Sequence, residues 1–525
     1  MRWSIRLTPL TATLATTVVL CAVYLAWTPV SADLAAQLAR ADLVRRAGNV
    51  SWWTGWFAGL SLPTYSLVTP QLMAWLGVAL TGAVATVVGC CGAAVLMRDA
   101  TRPRAGALVF SLFGVGDLVA GRVTFVVGLA FAVWALAALR VRQRSVSFGL
   151  AALAFFSSPL AGLFLGLVLV AVAITDRTRR WPAGAAAGVL VACGVVMAVL
   201  FPGAGVMQLH WSGLLAPGSG FGAVAITCRQ PVVRTSALLA LASLPVLMIY
   251  PGAIGSNMAR LAWVAAVPLV VACATVSRAW VVAVALGLSV WPATDVINQV
   301  HFLPGRTTEA AYYQPVIDQL RIAQAAAGPT AVGERVELLD TATHTGAYYL
   351  AKSFPLARGW DRQVDKADNP IFYGDGLTQQ NYDAWLHDLA VGWVAVPAAT
   401  LDYGHDTEAA LVERGVPALQ LIWSSPDWRL YRVQDATPLA TGAQVIAVGA
   451  SSVTLRTTTK SSVMLRMQWT PYLRVVDAAN GRASATCIVK QGRSTNIYLP
   501  AAGDYRVVSP FDPFARFDSA DDCPS

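Results

Sequence analysis

Charge is what this chain is short of. Asp, Glu, Lys and Arg make up 13% of its 525 residues, against 56% hydrophobic. A soluble protein of this size carries about twice that charged share, so a purely soluble fold is excluded. Histidine is scarce too, at 5 residues, and no His or Cys set has zinc spacing. A P-loop and a nucleophile elbow are missing, which removes the sequence support for phosphate-cradling NTPases and serine hydrolases. The net charge of +9 is spread over loops, with no basic stripe interleaved with aromatics, which excludes nucleic acid as a partner. Ionisable residues are nearly absent from the middles of the apolar runs and no inverted repeat is visible. An ion-coupled transporter therefore lacks its path.

What is present is a change of solvent near Asp295. Before it, apolar runs follow one another; after it, the chain is charged and turn-rich to Ser525. Arg2 and Arg6 ahead of Leu10–Trp27, with Val30-Ser31-Ala32 after it, resemble a signal peptide. The apolar run exceeds the usual h-region of about 7–15 residues, so an uncleaved first span is expected. Ten more spans follow by length and hydropathy: Pro70–Met97, Ala105–Gly116, Val123–Leu139, two short helices within Phe148–Ile174 broken at Ser157-Ser158-Pro159, Pro182–Phe201, Leu214–Cys228, Ser236–Tyr250, Leu261–Val276 and Trp280–Trp291. This assignment puts the arginines at Arg98, Arg140, Arg177, Arg229 and Arg278 on one side with the N-terminus. By the positive-inside rule that side is cytoplasmic. The expectation is a multi-pass plasma-membrane protein with the loops Thr28–Val68, Asp117–Arg122, Gly203–Ser212 and Pro251–Arg260, and the whole C-terminal half, outside the cytoplasm.

The predicted fold is thus an α-helical polytopic membrane domain over 1–295, an exported α/β unit over 296–438 and a β-sandwich over 439–525. The α/β reading rests on a helix at Ala310–Ala327, strands at Arg335–Asp340, Trp393–Pro397, Leu419–Trp423 and Trp428–Val433, and helices at Tyr382–Val391 and Glu408–Gly415. The sandwich reading rests on seven short alternating runs from Val445 to Val508. Six cysteines lie in or beside spans, where Cys acts as a small hydrophobe. Cys487 and Cys523 alone lie in the charged half, and one disulfide between them is expected, two free thiols being the alternative.

The candidate chemistry sits in the loops. Asp33 closely follows the first span and suits a general base toward a sugar hydroxyl, or the N-cap of a helix starting at Leu34. Asp42 lies about 13 Å further along such a helix and nearly opposite, a poor partner for a dyad. Trp52, Trp53 and Trp56, with Tyr65 beyond them, fit either an interfacial aromatic belt or a sugar-binding platform. Arg122 can pair with Asp117 or help hold a phosphate. Arg260 can hold a lipid phosphate or snorkel to headgroups, and the glycines before Asn257 allow close approach of a ligand. In the charged half, Thr341–Thr378 is the densest polar-aromatic segment. Its His344, Arg358, Trp360, Arg362 and Tyr373 read either as a recognition surface or as an internally paired edge.

These residues carry a resemblance. Asp33 after the first span, the aromatic stretch Trp52–Tyr65 leading to Pro70, the paired short spans around Ser158-Pro159 and the loop Gly255-Ser256-Asn257 with Arg260 resemble the GT-C superfamily of polytopic glycosyltransferases, in an actinobacterial branch. The segment Ala357–Arg362 with Asn369-Pro370 and Phe372-Tyr373 is similar to exported domains of actinobacterial membrane proteins of this sort. The resemblance implies transfer of a sugar from a polyprenyl-phosphate donor to an envelope glycan, lipid or protein, with Asp33 as base. Asp33 is followed by Leu34 rather than a second acid, so the paired-acid pattern is absent. No cofactor is expected, a divalent metal being left open. The competing expectation is a non-enzymatic envelope protein that binds or translocates a glycolipid.

Overall fold

The computed structural model describes residues 8–514 apart from 50, 204, 251, 253, 302–304 and 485. The expected Cys487–Cys523 bridge falls on Cys523, outside the described residues. The chain divides into two compact units, Met1–Gln37 with Thr64–Leu303, and Leu38–Pro63 with Pro304–Ser525.

The first unit is helical. Among the described residues seven helices are long and apolar enough to cross a membrane: Pro9–Trp27, Val78–Asp99, Val123–Arg140, Arg180–Leu200, Pro231–Ile249, Gly255–Cys273 and Arg278–Gln299. The chain is therefore a multi-pass membrane protein. The other four expected spans are shorter helices, Pro103–Val119, Arg144–Ser157, Pro159–Thr175 and Leu215–Thr227. The break at Ser158-Pro159 lies where the sequence puts it. Pro159 opens the new helix and the Ser158 side chain accepts from the Ala161 amide, so the backbone groups that proline frees find a partner. The run Pro70–Met97, expected as one span, instead breaks at Gly77 into Thr69–Leu76 and Val78–Leu96. Small residues set the packing. Gly89 stands against Ala130 and Gly92 against Val133, the close approach that apolar helices need where lipid supplies no hydrophobic drive between them. After the first helix Thr28 adopts φ 45°, and a second helix, Ala32–Ala47, follows.

The second unit begins with residues inserted from far upstream. Within Leu38–Pro63, strand β1 (Trp52–Trp53) pairs antiparallel with β2 (Leu60–Ser61). Trp52, Trp53 and Trp56 are buried in this unit, Trp56 fully so at 0% exposure. Trp52 joins the apolar cluster of Val453, Leu455, Val463 and Ile497. The Trp56 indole donates to the Ala347 carbonyl at 3.1 Å, and a side chain at Gly359 would strike its ring. Both sequence readings of these tryptophans are corrected. They are neither an interfacial belt nor a sugar platform, because their faces are spent in the core.

A mixed sheet follows, in the order β3-β4-β6-β5, from β3 (Arg335–Leu338), β4 (Val391–Pro397), β5 (Leu419–Ser424) and β6 (Trp428–Val433). β3 and β4 are parallel, and the crossover between them includes helix Gln379–Asp388, opened by a capping box of Thr378 and Asn381. β4 is buried at every residue, as its apolar run requires. The strand-rich C-terminal region comprises β7 (Ala440–Thr441), β8 (Gln444–Gly449), β9 (Ser452–Thr457), β10 (Ser461–Leu465), β11 (Arg474–Asp477), β12 (Cys487–Gln491), β13 (Ser494–Leu499) and β14 (Gly503–Val508). They form two four-stranded sheets, β12-β13-β10-β7 and β11-β14-β9-β8. Alternate residues of both sheets, such as Val463 and Ile497 from one and Leu455 and Val507 from the other, share one core.

Truncating Trp56 to Ala removes a fully buried aromatic and its hydrogen bond, at a cost of about 3–5 kcal/mol. Thermal unfolding and protease resistance of the full chain in detergent check this. A melting temperature unchanged from wild type would refute the core assignment.

Candidate functional site

In the first unit one arginine gathers three carboxylates. Arg122 sits between helices Pro103–Val119 and Val123–Arg140, its side chain 9% exposed. Its Nη1 reaches Asp117 at 3.0 Å, its Nη2 reaches Asp295 at 2.8 Å, and its Nε stands 3.6 Å from Asp33. The Trp263 ring lies 4.8 Å from the guanidinium. A cation this buried needs counter-charge from whatever elements pass it, and here they come from three helices. Arg260 adds a second guanidinium, its Nη2 3.4 Å from Asp33. Three carboxylates against two guanidiniums leave one surplus negative charge. The openness of the members differs. Asp33, Arg260 and Asp295 are 31%, 27% and 25% exposed, against 9% for Arg122 and 4% for Asp117, so they are the members that solvent or a substrate can reach.

Backbone packing fixes Asp33. It lies inside the first turn of helix Ala32–Ala47, not ahead of it, so the reading of Asp33 as the N-cap of a helix from Leu34 is corrected. Gln299 accepts from the Ala32 amide at 3.2 Å. Gly121, at φ +77°, lies so close to the helix start that a Cβ there would come within 2.7 Å of the Leu34 nitrogen. Four residues on, buried Gln37 accepts from Thr124 Oγ1 at 2.5 Å and donates to the Tyr65 hydroxyl at 3.1 Å. Tyr65 thus braces the helix that carries Asp33. Asn257 is buried in the turn leading to Arg260. The expectation that Arg122 helps hold a phosphate does not fit this geometry, because three carboxylates already surround it. Beside the cluster, Trp263 lies in a π-helical turn, Ala262–Ala266, and lines an apolar groove of about 230 Å³ with Gly220, Ala262, Ala266, Gly287 and Trp291.

In the second unit the segment Thr341–Thr378 splits into an inner and an outer part. Arg358 belongs to the inner part. Its Nε donates to Asp365, its Nη1 to His405 and Glu408, and its Nη2 to Asp365 and the Gly404 carbonyl, all within 3.1 Å. Five donors are all that a guanidinium has, so Arg358 has none left for a ligand and its recognition role is corrected to a structural one. His344 is also buried, at φ 56°, stacked on Trp360 with ring centres 3.4 Å apart and its Nε2 3.5 Å from Asp402. The outer part reaches solvent. Arg362 donates to the Tyr373 hydroxyl at 2.9 Å, pairs with Asp402, and lies over the rings of Trp360 and of Tyr403, which is 61% exposed. Asp402 and Tyr403 escape sequence reasoning because they lie outside the segment that composition singles out.

Burial shapes the charges behind Arg358. It pushes the carboxyl of Glu408 up to about 7, against the pull of Arg358, and that of Glu337 well above the ordinary range, with Glu408 adding to the rise. Glu408 accepts from the Tyr382 hydroxyl at 2.9 Å. Burial and then Arg358 hold His405 well below its usual range, so its ring is neutral. Among the described residues Glu337, His405 and Glu408 alone come close enough to share a metal ion. Arg358 Nη1 stands 3.0 Å from His405, 3.1 Å from Glu408 and 3.6 Å from Glu337, so a guanidinium already fills the cation's place.

No protein-family model matches the chain, and no curated protein matches it. Among solved structures the chain is similar to two cryo-EM classes of a mutant of the arabinofuranosyltransferase AftD from mycobacteria. Each has 13% sequence identity and a TM-score of 0.43, covering 95% of this chain and 59% of that one. The chain thus spans about three-fifths of the length of the structures it matches.

The carboxyl pair predicts a pH dependence. A group whose pKa is raised on folding stabilises fully below its unfolded value and loses that contribution as pH rises through the folded value. For Glu408 the window runs from the ordinary 4.5 to about 7. Thermal unfolding of the full chain should show the melting temperature falling as pH rises from 6 to 8, and Glu408→Gln, neutral at every pH, should flatten that fall. An equally steep fall in the variant would show that Glu408 is not the group that titrates there.

Proposed function

We propose that this protein transfers a sugar from a polyprenyl-phosphate donor to a cell-envelope glycan, lipid or protein at the outer face of the plasma membrane. The observation that carries the reading is the half-open pair of Asp33 and Arg260 among membrane helices, with Trp263 linking its cluster to an apolar groove. A lipid-linked donor presents those two chemistries together, an anionic phosphate and a hydrocarbon chain. In the proposed step Asp33 takes the proton of an acceptor hydroxyl as its oxygen bonds to the anomeric carbon. The bond from that carbon to the phosphate oxygen breaks, and polyprenyl phosphate leaves with the electron pair. Arg260 turns from Asp33 to the phosphate and offsets the developing charge. The donor's isoprenoid tail would lie in the groove beside Trp263. The step is a single displacement, so the anomeric centre inverts.

The second unit is assigned acceptor recognition. Trp360, Arg362 and Tyr373, with Tyr403, present aromatic faces and a guanidinium together, a combination suited to sugar C–H faces and hydroxyls. His344 supports Trp360 from behind.

Membranes containing the protein, given radiolabelled polyprenyl-phosphate sugars, should pass label to an acceptor. Asp33→Asn should lower transfer by at least about a hundredfold, the low end of general-base contributions, while the variant still inserts and purifies as wild type does. Arg260→Ala should weaken donor use, raising KM as well as lowering kcat. Normal transfer by Asp33→Asn would sink the assignment of the base. Glycolipid binding by wild type without transfer from any donor would favour the non-enzymatic reading.

A further inference from the structure

Arg122 stands next to the proposed base without bonding to it. Both its Nη groups are committed, to Asp117 at 3.0 Å and to Asp295 at 2.8 Å, whereas Asp33 is left 3.6 Å from Nε, which makes no hydrogen bond among the described residues. Asp117 and Asp295 lie on different helices, Pro103–Val119 and Arg278–His301. A planar guanidinium tied at both ends by two separate elements cannot swing its fork toward a third carboxylate. We propose that Asp295 is a positioning residue that holds Arg122 off Asp33 and so keeps the base available.

The inference rests on the reading of Asp33 as base. The charged groups facing Asp33 are Arg122 and Arg260 on the positive side and Asp117 and Asp295 on the negative side. Removing Asp295 frees Nη2, and the nearest remaining carboxylate beyond Asp117 is Asp33. A forked arginine–carboxylate pair is among the strongest charge-assisted contacts, and it would make Asp33 harder to protonate and therefore a weaker base. The same helix also carries Gln299, one turn on, whose side chain accepts from the first amide of the helix bearing Asp33. Helix Arg278–His301 thus controls both the pose of the base and the reach of its neighbour.

The test is transfer by the full-length protein in membranes as a function of pH, for wild type, Asp295→Ala, Asp295→Asn and Asp295→Glu. Asp295→Ala should lower kcat about tenfold, leave KM within about twofold, and move the acid limb of the pH profile down by about one unit. Asp295→Glu should restore most of both. Asp295→Asn keeps the volume and an acceptor while removing the charge. It should move the limb in the same direction by less, and it serves if the alanine variant fails to insert. A loss of kcat with an unmoved limb and no rescue by glutamate would mean a structural role only and would overturn the inference. Inactive Asp33→Asn beside fully active Asp295→Ala would overturn it while leaving the proposed function standing. Active Asp33→Asn would overturn both.

Discussion

The buried guanidinium of Arg122 is the constraint on which the first unit's site depends. In a bundle this apolar an arginine at 9% exposure is tolerated only with carboxylates at hand, since desolvation of a lone charge costs several kcal/mol. That requirement brings together Asp117 on one helix, Asp295 on another and Asp33 on a third. Once they converge, the rest follows from packing. The turn before Arg122 needs Gly121 to lie against the start of helix Ala32–Ala47, and Gln299 and Gln37 fasten that helix at its first amide and one turn on. Asp33, Arg260 and Asp295 are what this framework leaves partly open.

The second unit uses the same physics in reverse. Arg358 draws Asp365, Glu408 and His405 around itself until all five of its donors are filled. Burial, and then Glu408 beside it, raises the Glu337 carboxyl well above the range of an exposed glutamate. Four residues later Arg362 pairs with Asp402, donates to the Tyr373 hydroxyl and lies over Trp360 and the exposed Tyr403. Two arginines in one short segment thus differ in their surroundings, Arg358 enclosed by its partners and Arg362 packed beneath an exposed tyrosine.

The proposed lipid-phosphate glycosyl transfer would draw on these features together. It needs a carboxylate that is partly open, a cation that can change partners, an apolar path for a chain, and a polar-aromatic face for an acceptor. The first three belong to the helical unit and the last to the strand-bearing one. The groove and the charged cluster meet at one side chain, Trp263, where a π-helical turn displaces the ring from the ordinary helical register, a distortion often kept where a helix serves a site.

The sequence by itself determined whatever depends on near neighbours. Run length and apolarity located the helices, Pro159 after Ser158 located a break, and alternation with turn residues located the strands of both β regions. These are local properties of backbone and hydropathy, so a window of residues contains the answer. Scarcity of charge also made Asp33, Arg122 and Arg260 stand out. The tertiary structure alone decided what their neighbours made of them. Asp295 lies far from Asp33 along the chain, and nothing in its local sequence marks it as the group that restrains Arg122. Trp52, Trp53 and Trp56 read as belt or platform and proved to be core, because a tryptophan's composition does not say which of its faces is covered. Likewise Arg358 and Arg362 differ by no local signal. Their roles depend on which donors are already filled, and that is set by residues brought close only when the chain folds.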